Sequence, residues 1–166
     1  NYPVFWEAFD SPPPHHQNYK GPEPASEKEI LAIIQLAQKQ SFDYAIFYHS
    51  SPSGALSEKI FLPALDRENA RQVKAYEEVE DFARAYARLL PKDYLRGRYE
   101  VSPAPGTRMG TARNYFFHMH GTKAFLVEIG GVNTSGISII HPGKAIRDKI
   151  VAKHLKALTK VFYAML

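Results

Sequence analysis

The sequence predicts an α/β domain, a mixed and mostly parallel sheet flanked by helices. Three observations predict it. Helix-patterned and strand-patterned stretches alternate in the order helix, strand, helix, strand, helix. The clearest strand, Ala124–Val127, is apolar at every position, as expected of a strand covered on both faces. Two strands also end in side chains able to do chemistry, His49 and Glu128, and each runs into a loop of Ser, Pro or Gly. In open parallel sheets, ligands gather at such carboxyl ends.

The elements follow in chain order. Asn1–Trp6 is short and aromatic, and a proline-rich loop follows from Ser11–Pro14 through His15, His16, Pro22 and Pro24, where regular structure cannot form. Ser26 and Glu29 have capping-box spacing, and Ile30, Ile33, Ile34 and Ala37 then recur at helical spacing, predicting a helix that ends near Gln40. Phe42–Tyr48 is aromatic or β-branched at nearly every position and reads as a strand ending at His49. From Glu68 to Leu90 the apolar residues Val73, Tyr76, Val79, Phe82, Ala83, Tyr86 and Leu89 keep a three-four period, and Pro91 stops the helix. Lys92–Met109, basic and rich in Gly and Pro, reads as a long surface excursion. Gly110–Gly121 reads as a short helix or turn leading into the strand at Lys123. The closing helix, about Gly143 to Leu166, is expected to bury Ile146, Ile150, Leu155, Leu158, Val161 and Phe162, with Lys144, Lys149, Lys153, Lys156 and Lys160 in water.

The whole chain bounds what it can be. Its 166 residues make one domain with a sizeable core, and 45% hydrophobic with 23% charged residues excludes a disordered chain. The net charge of +4 is spread rather than blocked, and no basic–aromatic stripe of the base-stacking kind appears, so a nucleic-acid partner is not expected. No apolar run is long enough to cross a bilayer, and no signal-peptide core is present, so no membrane partner is expected. Cysteine is absent, which excludes disulfides and thiolate metal sites. The chain starts at Asn1 without Met and is expected to be trimmed or excerpted from something longer.

His49 and Glu128 are the sharpest candidates. An imidazole at a strand end is a good zinc ligand, and a carboxylate in a dry cleft is a good general base. The plainer alternative is a satisfied boundary histidine and a structural carboxylate. His118-x-His120 would share a face only if extended, and no carboxylate accompanies it. His15, His16, His141 and His154 have no helper at ligand spacing and are expected to be solvated. Ser50, Ser51 and Ser53 lack the glycines of a nucleophile elbow, and Gly130-Gly131 lacks the Lys-Ser/Thr ending of a phosphate loop. Arg113, taken alone, reads as a surface residue.

The ordered set of motifs resembles the zinc metallocarboxypeptidases, the family typified by carboxypeptidase A. Ser26-Glu27-Lys28-Glu29 followed by Phe42–Ser50 resembles the helix and strand that deliver that family's third zinc ligand, which implies His49 as a Zn²⁺ ligand. Gly110–Tyr115 followed by Ala124–Glu128 resembles the segment carrying the specificity residue and the catalytic glutamate, which implies Arg113 and Glu128 in those roles. Asn1-Tyr2-Pro3 resembles the tail of the family's Asn-Arg-Asn-aromatic motif, and Asn1 and Ser50 are implied as substrate-binding.

The resemblance implies a carboxypeptidase-like fold over residues 1–166, as the C-terminal portion of a single catalytic domain. The first two zinc ligands and the Asn-Arg pair for the terminal carboxylate would lie ahead of Asn1. The family's mobile tyrosine falls near Gly106–Thr107, where this chain has none; Tyr115 is the nearest. The implied activity is zinc-dependent release of a residue from a peptide or protein C-terminus, with an acidic preference through Arg113. The alternative is a non-catalytic domain of this fold that binds a peptide or protein partner.

Overall fold

β4 (Lys123–Glu128) lies inside the sheet, and its neighbours explain its apolar sequence. The computed structural model describes residues 1–8, 10–16, 18–50, 53–104 and 110–165. β4 pairs in parallel with β1 (Tyr44–His49) on one side and antiparallel with β2 (Lys59–Phe61) on the other. β2 in turn pairs in parallel with β3 (Glu100–Ser102), giving the order β1-β4-β2-β3. Two of the three pairings are parallel, so the sheet is mixed and mostly parallel as expected.

Helices cover both faces. α2 (Ala70–Leu89) buries Val79, Phe82, Ala83 and Tyr86, and α4 (Lys144–Met165) buries Ile150, His154, Ala157 and Val161. Side chains alternate along a strand. Tyr44 and Phe125 therefore meet Phe82 at 4.7 and 5.7 Å between ring centroids, on the face that α2 covers. Phe47 points the other way and meets Phe116 of α3 (Ala112–His120) at 5.4 Å. α3 ends at Gly121, whose φ of 66° suits a residue without Cβ. α1 (Lys28–Lys39) lays Ile34 and Ala37 into the core, while Ile33 stays exposed.

Several expectations need correcting. The Ser26–Glu29 capping box does not form. The Ser26 hydroxyl accepts from Asn1 Nδ2 at 3.1 Å and donates to Glu27 Oε1 at 2.9 Å, and α1 starts only at Lys28. The cap that does form is on α2, where Asn69 Oδ1 accepts the Gln72 N–H at 3.2 Å. The stretch after Pro91 is not all excursion, since it supplies β3, and β2 is a second short strand that the pattern did not signal. Lys59–Phe61 and Glu100–Ser102 are too short to show a period.

The largest correction is on α4. His154 is 4% exposed rather than solvated, whereas Ile146 and Leu155 are exposed, so the helix is rotated about its axis relative to the expectation. A row of hydrogen bonds explains why a histidine belongs inside. Tyr99 donates its hydroxyl to Asp93 Oδ2 at 3.2 Å, so its oxygen accepts from His154 Nε2–H at 3.3 Å. His154 Nδ1 then accepts from the Tyr86 hydroxyl at 2.6 Å, and Tyr86 in turn accepts from Tyr48 at 2.9 Å. Each group in the row has one consistent direction, which fixes His154 as the neutral Nε2–H tautomer. Lys153 is not in water either; its Nζ donates to Asp93 Oδ1 at 2.5 Å and to Pro91 O at 2.8 Å.

Burial, together with the Lys153 charge beside it, lowers the His154 pKa from 6.5 to about 3. The unfolded chain therefore takes up a proton near pH 6.5 that the folded chain refuses until about pH 3. The contribution is complete above pH 6.5 and is lost as the pH falls below it. Urea unfolding of the intact protein and of His154→Gln at pH 7.5 and 4.5 checks this. The stability gap between the two should shrink by roughly 2–3 kcal/mol at the lower pH; a gap independent of pH would contradict the neutral, buried imidazole.

Candidate active site

The register of β1 against β4 builds the site. Tyr44 pairs with Lys123 at one end and His49 with Glu128 at the other, so the two strands run out at the same level. Phe47 and His49 share a strand face, as do Leu126 and Glu128, and all four line one cleft of about 310 Å³. His49 Nδ1 and Glu128 Oε2 lie 3.1 Å apart. The two side chains differ sharply in exposure, 57% for the imidazole and 1% for the carboxylate. One partner faces solvent and the other is sunk at the end of a dry strand.

The glycines after Glu128 have specific reasons. Gly130 has φ +80°, and a Cβ there would lie 2.6 Å from the Ile139 carbonyl oxygen. A Cβ on Gly131 would lie 2.6 Å from the Tyr94 ring and 2.7 Å from Glu58 Oε1. The chain must leave the strand tip through a space that admits no side chain.

α3 supplies the third component. Arg113 sits in its first turn, is 2% exposed, and lines the same cleft; its guanidinium carbon is 6.0 Å from the Phe61 ring centroid. It is a buried cation and not a surface residue. The neighbouring Asn114 is buried too, and its Oδ1 accepts the Ala64 N–H at 2.9 Å. His118 donates through Nε2 to the Ala64 carbonyl at 2.9 Å, and burial pulls its pKa below the ordinary value. Two bonds to Ala64 thus pin the buried helix that carries Arg113. Because α3 is helical, His118 and His120 do not share a face, which removes the extended His-x-His possibility.

Asn1 lines the cleft, but its side chain is committed to the loop that follows it. Its Nδ2 donates to Lys20 O at 2.5 Å and Glu23 O at 2.9 Å, and its Oδ1 accepts from the Glu27 N–H at 3.3 Å. Ser50 lies apart from the cleft, in an adjoining hollow with Gly130, His141 and Arg147. The position expected for a mobile tyrosine, Gly106–Thr107, lies outside the described residues. Tyr2 was not anticipated. It packs against Tyr115 at 5.4 Å and forms part of the cleft wall, and its sequence signal was only an aromatic residue beside Asn1.

His49 Nε2 has no hydrogen-bond partner among the described residues, so the imidazole has a nitrogen to offer a metal. Among the described residues, however, no three His, Asp or Glu side chains come together as a metal-holding group. A catalytic zinc takes three protein ligands. These residues therefore fit as part of a zinc site and not as a whole one.

An imidazole and a sunken carboxylate stand at neighbouring strand tips, and a buried arginine lines the same cleft at the carboxyl ends of β1 and β4. The sequence model for the family described as zinc carboxypeptidase matches residues 1–149, and this chain belongs to that family. The fold class and the resemblance drawn from the motifs are thereby borne out. No curated protein gave a significant match.

Proposed function

We propose that this chain is the C-terminal portion of a zinc carboxypeptidase catalytic domain, and that it acts on peptides with acidic C-terminal residues. The observation that carries the proposal is the His49–Glu128 pair, 3.1 Å apart in a cleft that also holds Arg113. His49 would hold the zinc as one of its ligands, through the ring nitrogen that has no partner among the described residues. The chemistry that zinc would supply there is polarisation of the scissile carbonyl and activation of a water.

The chain's own residues do the rest. Glu128, held at the end of a dry strand, takes a proton from the attacking water on a carboxylate oxygen. It returns that proton to the nitrogen of the leaving amine as the C–N bond breaks. Arg113 is charged at any working pH, and a guanidinium meets a carboxylate with two parallel hydrogen bonds. At the cleft floor it selects a Glu or Asp side chain over an apolar one. Asn1 contributes to substrate binding as part of the cleft lining and by fixing the loop that follows it, and Ser50 by shaping the adjoining hollow.

Two substitutions in the intact protein test these assignments. Glu128→Gln preserves shape but cannot take a proton. It should lower kcat by about 10²–10⁴-fold while zinc content stays at the wild-type level; retained turnover would rule out Glu128 as the base. Arg113→Met keeps most of the bulk and removes the charge. The ratio of kcat/KM for a peptide ending in glutamate to one ending in leucine should fall roughly 10- to 100-fold. An unchanged ratio would rule out Arg113 as the specificity residue.

A further inference from the structure

We propose that Glu58 is a positioning residue for Glu128, fixing the strand tip that carries the catalytic carboxylate. The proposal rests on the reading of Glu128 as the proton carrier. Glu58 immediately precedes β2 and is 2% exposed, yet it belongs to no part of the cleft. Its φ is +57°, in the left-handed region that a side chain other than Gly, Asn or Asp rarely adopts. A buried glutamate in that conformation persists only where its surroundings hold it there.

Three hydrogen bonds do so. The Glu58 N–H donates to the carbonyl oxygen of Glu128 at 2.8 Å. The Glu58 carbonyl accepts the Glu100 N–H at 3.2 Å. Its side-chain Oε1 accepts the Asp93 N–H at 2.5 Å. One residue thus ties the tip of β4 to the start of β3 and to the turn after Pro91. That turn is itself anchored to α4 through the Asp93–Lys153 ion pair.

The side-chain bond is the part that substitution can remove without touching the backbone. It is one of the three bonds that hold the positive φ. The Glu58 carboxylate lies over Gly131, where a Cβ would be 2.7 Å from Oε1, so the side chain held by Asp93 fills the space that the missing Cβ leaves. Losing the Asp93 contact frees the Glu58 backbone to relax toward negative φ. Its N–H then turns away from the Glu128 carbonyl. The Glu128 carboxylate is the side chain of the same residue and moves with that carbonyl, and small displacements matter to a group that must meet a reacting proton.

Burial pushes the Glu58 carboxyl above its usual range, and the Asp93 N–H opposes that shift. What Asp93 needs is a carbonyl-type oxygen at the right reach, and net charge is secondary. Geometry and charge therefore make opposite predictions for two variants. Glu58→Gln keeps the oxygen and loses the charge, whereas Glu58→Asp keeps the charge and is one methylene too short.

The test is steady-state kinetics of the intact protein on an N-blocked dipeptide ending in glutamate, with active fraction normalised by zinc content. Glu58→Asp and Glu58→Ala should lower kcat at least ten-fold with KM within two-fold of wild type. Glu58→Gln should restore kcat to within three-fold. Glu58→Asp at wild-type kcat, or Glu58→Gln as impaired as Glu58→Asp, would overturn the proposal. So would losses that vanish after normalisation, because they would mean that Glu58 only supports folding. If Glu58→Ala does not fold, the Gln and Asp pair decides. Failure of the underlying reading looks different: Glu128→Gln would then remain active, whatever the Glu58 variants do.

Discussion

The constraint on which the rest depends is the in-register parallel pairing of β1 with β4. Six residue pairs, from Tyr44–Lys123 to His49–Glu128, leave the imidazole and the carboxylate at the same level and on the same face. A slip of one residue would turn one of them to the opposite face, toward α2 and α4. Register is held by what each face packs against. Tyr44 and Phe125 stack on Phe82, while Phe47 stacks on Phe116. A slipped strand would place its aromatic rings where the other face's partners are needed.

The two faces of this strand pair are built differently. The face toward α3 is covered by that helix along its length and holds ionisable groups at its tip, where the cleft opens. The opposite face is closed by the hydrogen-bonded row Tyr48–Tyr86–His154–Tyr99–Asp93. Burial pushes the Tyr86 and Tyr99 hydroxyls up, so both stay protonated as donors, and it pulls the His154 pKa down to about 3. The row carries no net charge until it meets Asp93, which is paired with Lys153. A buried polar network is tolerable only when its members are satisfied. This one begins at Tyr48, the residue before His49, and its far end meets the turn that receives the Glu58 side chain. Both strand tips are therefore backed by fixed structure.

Much of this was legible in the sequence. The unbroken apolar run of β4, the aromatic run of β1 and the long period of α2 are strong signals because burial imposes them residue by residue. The two strand-end side chains were legible because polar residues that end apolar runs are conspicuous. What escaped has physical causes. β2 and β3 are three residues each, too short for a period, and hold their place through pairing alone. The expectation of a solvated His154 fails because a histidine satisfied by two tyrosine hydroxyls looks, in sequence, like any exposed one. Ser26 and Glu29 had the spacing of a cap, but Asn1, distant in sequence, claims the Ser26 hydroxyl. Glu58 gave no signal, because its role lies in a backbone angle and in bonds to Glu128, Glu100 and Asp93.

Whether His49 and Glu128 form one side of a zinc centre is decided by where zinc sits. Anomalous diffraction at the zinc edge from crystals of the intact protein would locate it. A zinc peak is expected about 2.0–2.1 Å from a His49 imidazole nitrogen, with the Glu128 carboxylate beside it. A zinc-loaded protein whose peak lies away from His49 would contradict it.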